Sequence, residues 1–297
     1  MKTLLTNCRT PAGIKNILLE DRYIIYIGID LPESDVRIDC SGKIVLPGMI
    51  DPHVHVRDLE MAYKETWETA SKAAIAGGIT TIMDMPNSKP ATTHPAGLAA
   101  KRKAAEKSLI SYKIHLGATS KNLNEIRKIL SDNLDDEAGI KVFLAGSSSN
   151  EVVENPQKLA EIFRFAKDFD KIILIHSEMQ SILDKWQDRI SEKTIRNHSI
   201  LRNREAAIEG TRLVLKLAEE VGNKLYICHV STQEEIELIQ KAKRTNRNIF
   251  CEVTPHHLLL NETILETVGN FGKVNPPLRA KEDNDALLAA VIDGTID

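Results

Sequence analysis

At 297 residues the chain has room for one large domain, or one large and one small, and can bury most of an inward-facing side-chain set. A net charge of −3 with both signs interspersed excludes the clustered basic face of a nucleic-acid binder. No apolar run approaches the ~20 residues of a membrane span, and the N-terminus lacks the apolar stretch of a signal peptide.

Residues 1–48 hold short apolar runs, such as 16–19, 23–28 and 36–39, broken by turn signals, and read as a small β-region. From Ile50 onward the pattern changes to alternation. Strand-like runs at 50–55, 79–84, 110–117, 139–145, 171–176, 224–230 and 248–254 are separated by helical patterns. These lie near 65–76, 94–107, 121–131, 156–168, 203–221 and 232–243, with a last one near 282–293. Such alternation implies βαβ units and a parallel sheet. Seven units, mostly about 25–35 residues apart, fit a (β/α)8 TIM-like barrel over residues 49–297 whose eighth unit is absent from this chain. A doubly wound sheet is the rival, but no Gly-x-Gly-x-x-Gly follows the first strand. Aromatic residues are only 4% of the chain, so aliphatic side chains must carry the core. Lys101-Arg102-Lys103 reads as one solvated helix face. Cys8, Cys40, Cys228 and Cys251 form no Cys-x-x-Cys pair and read as reduced core residues of a cytoplasmic protein.

The polar residues that interrupt the strands carry the chemistry, because active sites of such barrels gather at the C-terminal ends of the strands. The first strand ends in His53-Val54-His55, and residues two apart on a strand point to one side. Lys141 stands inside the fourth strand, His176 ends the fifth and His229 the sixth. Each has an ordinary reading alone: a lone His-x-His or strand-end histidine is commonly structural, and a lysine in an apolar run fits an edge strand. Together, four imidazoles and a lysine converge on one rim, a donor set that suits zinc and related borderline ions. His94 and His198 read as surface or capping residues, His115 as packed inside the third strand, and His256 and His257 as rim residues. Glu178 and Asp84 fit either ligand-orienting or structural hydrogen bonds.

Residues 47–57, Pro-Gly-Met-Ile-Asp-Pro-His-Val-His-Val-Arg, resemble the signature of the cyclic amidohydrolases within the amidohydrolase superfamily. The resemblance continues through Ala76-Gly77-Gly78-Ile79-Thr80-Thr81, Met83-Asp84-Met85-Pro86-Asn87, His176-Ser177-Glu178 and His229-Val230-Ser231-Thr232. It runs on through Glu252-Val253-Thr254-Pro255-His256-His257 to Asn275-Pro276-Pro277-Leu278-Arg279, all in the expected order. Within the superfamily, the arginine of His-x-His-x-Arg is similar to that of the dihydroorotases. Allantoinases typically carry asparagine there, and dihydropyrimidinases lack the arginine.

The resemblance implies that His53 and His55 hold one zinc ion and His176 and His229 a second, with carboxylated Lys141 bridging them. It further implies that Arg57 pairs with a substrate carboxylate, a role that suits a guanidinium fork, although a structural salt bridge is the plain alternative. Asn87 and Asn275 match other substrate contacts of the family; asparagines before proline are otherwise turn formers. The implied reaction is the reversible interconversion of dihydroorotate and N-carbamoyl-aspartate in pyrimidine biosynthesis. Bound cations would acidify a water and polarise the ring amide. A general base would move the proton. In the family that base is an aspartate within Asp-His-Ala-Pro-His, a motif this sequence does not reach. Asp297 is not its counterpart, and residues 1–297 alone are expected to be inactive. The missing length would also complete a composite β-sandwich with residues 1–48. After Arg57 many relatives read Glu-Pro-Gly, whereas here the run is Asp58-Leu59-Glu60, which leaves allantoinase or dihydropyrimidinase activity as alternatives. A non-catalytic homologue that supports a transcarbamoylase is a further alternative, and a homo-oligomer is compatible with either class. No nucleic-acid or membrane partner is expected.

Overall fold

The computed structural model describes residues 1–132, 136–146 and 152–297. They divide into two compact units, Met1–Met49 and Ile50–Asp297.

The first unit is a four-stranded sheet of β1 (Lys2–Thr10), β2 (Gly13–Glu20), β3 (Tyr23–Gly28) and β4 (Val36–Asp39), in the order β3-β2-β1-β4. The first hairpin turns at Gly13, whose φ of 93° suits glycine, and the Thr10 hydroxyl donates to the Gly13 carbonyl at 2.8 Å. Cys8, Ile17 and Cys40 form its buried cluster.

In the second unit, β5 (Met49–Val54), β6 (Ile79–Asp84), β7 (Ser111–Gly117), β8 (Glu137–Phe143), β9 (Ile173–His176), β10 (Leu225–Ile227) and β11 (Ile249–Cys251) form one curled sheet in sequence order. From β6 to β11 every pair is parallel. Neighbouring strands are joined by helices, so the seven expected strands are all present. The last three are shorter than the apolar runs suggested.

Alternation along each strand decides what faces where. Ile140, Val142, Ile173 and Ile175 pack outward with Leu159, Ile162 and Phe163 of the helix Pro156–Asp168 and Val214 of the helix Arg204–Val221. Burying each such side chain contributes roughly 1.5–3 kcal/mol. The intervening Lys141 and Leu174 are register partners, as are Phe143 and His176. Leu174, Met85 and Cys228 form a separate small cluster. The same pleat that fills the outer core with aliphatics therefore turns Lys141 and His176 to the opposite side.

The helix Gln180–Arg189 was not expected. It buries only Leu183 and so lacks the apolar stripe that marks a helix in sequence. Among the described residues no helix is long and apolar enough to cross a membrane.

Candidate metal centre

His53 lies in β5 and His55 one residue beyond it, on the same side of the chain. Their Nε2 atoms face each other at 3.4 Å. The opposite nitrogens are occupied: His55 Nδ1 lies 2.6 Å from Asn87 Oδ1, and His53 Nδ1 makes a short contact with Glu252 Oε1. A ring N–H that donates to an oxygen leaves the other nitrogen of a neutral imidazole as a lone pair, so each ring, when neutral, presents its Nε2 lone pair inward.

The second pair comes from two strands. His176 closes β9, and His229 follows β10 with a φ of 38°, a strained conformation for a residue other than glycine. His176 Nδ1 lies 3.1 Å from His229 Nε2. His176 Nε2 is 2.8 Å from Glu178 Oε2, and Arg202 grips the same carboxylate through Nε (3.0 Å) and Nη2 (2.5 Å). His229 Nδ1 is buried without a partner among the described residues. Ring centroids of His53 and His229 are 5.3 Å apart and those of His176 and His229 4.8 Å, so the four rings form one cluster.

Lys141 is fully buried beside them. Its Nζ lies 2.9 Å from Cys228 Sγ and 5.0 Å from the centroid of the Phe143 ring, and no carboxylate among the described residues pairs with it. A buried ammonium in such surroundings is costly.

Charge follows the same geometry. Burial holds His55 and His229 well below the usual histidine range, and neighbouring cations push further in that direction. Burial also lowers His176, with Glu178 opposing it. At His53 burial acts downward, but Cys228 and Glu252 outweigh it, so the imidazole is pushed up to about 9. Burial raises the Glu178 carboxyl, yet Arg202 and His176 hold it below the usual carboxylate range. Across the 3.1 and 3.4 Å contacts, either one ring donates an N–H to its neighbour or a cation takes the place of that proton between two lone pairs. This donor set fits a borderline divalent cation. His53, Cys228 and Glu252 also bring ligand atoms within 4.8 Å of one another.

A cavity of about 680 Å³ opens over the cluster, lined by His53, His55 and His229 together with Arg57, Lys273 and Asn275. Arg57, Asp58 and Leu59 have φ of 69°, 41° and 54°, three consecutive residues in the left-handed region. Such positions cost on the order of 1–3 kcal/mol each. Buried Asp58 holds the turn: its carboxylate accepts from the backbone N–H groups of Leu59 (2.6 Å) and Trp67 (2.9 Å). Arg57 Nη1 donates to the Asn87 carbonyl at 3.3 Å. Asn87 is thus engaged with both His55 and Arg57, while Asn275 Oδ1 is buried without a partner among the described residues.

The remaining histidines divide. His94 caps the helix Pro95–Ala105 by accepting from Gly97 N–H. His198 is buried and donates to the Val274 carbonyl at 2.8 Å, which corrects its reading as a surface or capping residue: the polar flanks that suggested exposure fold beneath the 270–275 segment. His115 is packed, with Nε2 2.9 Å from the Pro52 carbonyl. His256 and His257 both line the cavity, His257 being also held by Thr254 and the Pro276 carbonyl. Asp84 accepts from Val56 N–H at 2.8 Å and pairs with buried Lys101, which corrects the reading of Lys101-Arg102-Lys103 as one solvated face: the first lysine points inward to this carboxylate while Lys103 stays exposed. Sequence reasoning passed over Glu252, Cys228 and Arg202. Glu252 carried a usable signal, since it is a charged residue directly after the apolar run of β11, on the same rim as the histidines.

The amidohydrolase family model matches residues 44–272. The dihydroorotase of Lactobacillus helveticus (strain DPC 4571) is 37% identical over 297 residues, covering 95% of this chain and 65% of that protein. The dihydroorotase of Methanosphaera stadtmanae is 34% identical over 293 residues with the same coverage. The chain thus spans just under two thirds of the length of these relatives. Among solved structures, the L-hydantoinase (dihydropyrimidinase) from Arthrobacter aurescens superposes with a TM-score of 0.92 at 30% identity, covering 99% of this chain and 67% of that one. A D-hydantoinase (dihydropyrimidinase) from Thermus sp. gives 0.88 at 28% identity over the same shares.

Proposed function

The chain belongs to the amidohydrolase family, and from that premise we propose that it is the metal-holding and substrate-orienting part of a dihydroorotase, interconverting dihydroorotate and N-carbamoyl-aspartate. The observation that carries the reading is one cavity with two kinds of wall. On one side, His53, His55 and His229 line the cavity, with His176 and buried Lys141 packed behind them in the same cluster. On the other, the Arg57 guanidinium is held out by a strained turn.

His53 and His55 hold one zinc ion in this reading, and His176 and His229 the other. Lys141, once carboxylated by carbon dioxide, would hold both, its amine converted from a buried cation into an anionic oxygen donor. When bound, the ions supply Lewis acidity toward a ring amide and its attacking water. The chain's own residues supply orientation. Asn87 and Glu178 fix the rings of His55 and His176, and Arg57 receives the ring carboxylate through charge-assisted hydrogen bonds. Asn275 turns its unpartnered Oδ1 to the substrate's N–H groups. No residue of this chain is assigned the proton transfer.

The likeness to hydantoinases and dihydropyrimidinases supports a second reading, with dihydrouracil or hydantoin as substrate. Arg57 favours the first, because those rings carry no carboxylate for it to meet. Turnover of dihydroorotate, dihydrouracil, hydantoin and allantoin by the natural protein that carries this chain decides between them. Preference for any of the last three overturns the dihydroorotase reading. In the same protein, Lys141→Ala should lose bound zinc, and metal uptake by the wild type should fall when bicarbonate is withheld. Unchanged metal content in Lys141→Ala would rule out the bridging role.

A further inference from the structure

Glu252 joins parts of the centre that the chain otherwise brings together only through the sheet. It stands directly after β11 and is largely buried. Its Oε1 accepts from His53 Nδ1, at the opposite edge of the sheet, and from the backbone N–H of His229 at 3.1 Å. Its Oε2 accepts from the Tyr226 hydroxyl at 2.9 Å. The carboxylate thus makes three hydrogen bonds, to the first strand of the sheet and to two residues at the end of the sixth.

We propose that Glu252 is a positioning residue that sets both metal positions at once, by fixing the His53 ring and holding the strained backbone of His229. The inference rests on the functional reading above and adds a residue to it. Two consequences follow from the contacts. By accepting at Nδ1, Glu252 keeps a ring proton there, so that Nε2 is the nitrogen that gives up its proton and turns a lone pair toward His55 Nε2. By accepting from His229 N–H, it stabilises a backbone with φ of 38° that a histidine adopts only when its surroundings compensate. The Tyr226 hydroxyl holds the second oxygen and so restrains rotation of the carboxylate. A glutamine can reproduce the arrangement, with its carbonyl oxygen on His53 and His229 and its amide donating to the Tyr226 oxygen. Alanine and leucine cannot.

The test measures zinc affinity by competition with a chelator, and the His53 tautomer by nitrogen-resolved NMR of the metal-free protein. Glu252→Ala should bind zinc about 10–100-fold more weakly than wild type and should lose the resolved His53 Nδ1 proton. Glu252→Gln should recover most of the affinity, and Tyr226→Phe should cost about three- to tenfold. Wild-type affinity together with an unchanged His53 proton in Glu252→Ala overturns the proposal. If Glu252→Ala does not fold, the other two variants decide. A Glu252→Gln protein that binds zinc as weakly as His53→Ala, which removes a proposed ligand outright, overturns the clamp, because glutamine retains the hydrogen-bond geometry. Substitution with cobalt(II) separates a rival role: a sulfur-to-cobalt charge-transfer band would place Cys228 in the ligand set with its neighbour Glu252, and would overturn a purely positioning role. Should the wild type bind no zinc, the functional reading fails, while the tautomer measurement still decides the clamp.

Discussion

His53 and His55 sit two residues apart at one strand end, and their orienting partners lie far along the chain, Asn87 beyond β6 and Glu252 beyond β11. His176 and His229 come from two strands, 53 residues apart, yet the partner that orients His176 is Glu178, only two residues on. The first pair needs little beyond the pleat of β5 to point both rings one way, so its partners have only ring rotation left to fix. The second pair depends on strand register and on a buried charge network. Arg202 neutralises Glu178, and the Arg202 carbonyl in turn accepts from Arg279 at 2.8 Å. A centre assembled from unlike halves should respond unlike when each is disturbed.

The sharpest break falls on the second half. Glu178 is fully buried, and Glu178→Ala leaves the Arg202 guanidinium in the interior without its anion. Removing one partner of a buried ion pair costs about 3–5 kcal/mol. Denaturant unfolding should show a loss of that size together with weaker metal binding. A loss below about 1 kcal/mol would mean that water reaches Arg202 and that the two halves do not differ as described.

The same contrast explains what the sequence disclosed. Five rim residues were legible because strand ends can be read from apolar runs, and a histidine or lysine interrupting such a run stands out. Glu178 could be named as a ligand-orienting candidate because it neighbours His176. Arg202 could not be tied to the centre, and Glu252 could be placed on the rim but not paired with His53, since what joins them to His176 and His53 is the packing of residues 198–202 under the rim and the curl of the sheet, neither of which has a local pattern. Asp84 was left between that role and structural hydrogen bonding and takes the second, holding Val56 N–H and Lys101, because a carboxylate at a strand end does not reveal which neighbour it faces. The seven strands were visible as aliphatic runs, whereas the helix Gln180–Arg189 was hidden by its polar surface.

A perturbation at Arg57, beside the first half but not one of its orienting partners, should leave folding and metal content alone. Arg57 follows His55 by two residues, and its Nη1 reaches the Asn87 carbonyl rather than an imidazole nitrogen. Arg57→Gln in the natural protein should raise KM for dihydroorotate by roughly 30-fold, the low end of the cost of losing a charge-assisted pair, because Arg57 is only half-buried. Zinc content should stay at the wild-type level. A KM within about threefold of wild type would assign Arg57 a structural role, and lost metal would show that the two halves share more than the comparison allows.

The smallest effect tests how closely the second half is packed. Gly210 lies within the helix Arg204–Val221, and a Cβ built on it would sit 1.5 Å from the Ser177 carbonyl oxygen and 2.5 Å from its carbonyl carbon. Ser177 stands between His176 and Glu178, so the helix rests on the turn that carries both. Two effects oppose each other in Gly210→Ala. Helix propensity favours alanine by about 1 kcal/mol in a helix interior. Overpacking costs about 1–3 kcal/mol, and here toward the upper end, because the obstacle is backbone and cannot rotate away as a side-chain tip would. The helix or the turn must shift, and the Thr211 hydroxyl bond to Ser177 Oγ, 3.1 Å long, shifts with it. The expected balance is a net loss of roughly 1–2 kcal/mol, a Tm lowered by about 2–8 °C in a chain of this size. The His53 ring, held from elsewhere, should keep its Nδ1 proton in the metal-free protein while zinc binding through His176 weakens. A Tm at or above the wild-type value would mean that the turn has room to yield, and that the second pair is held by its charges alone.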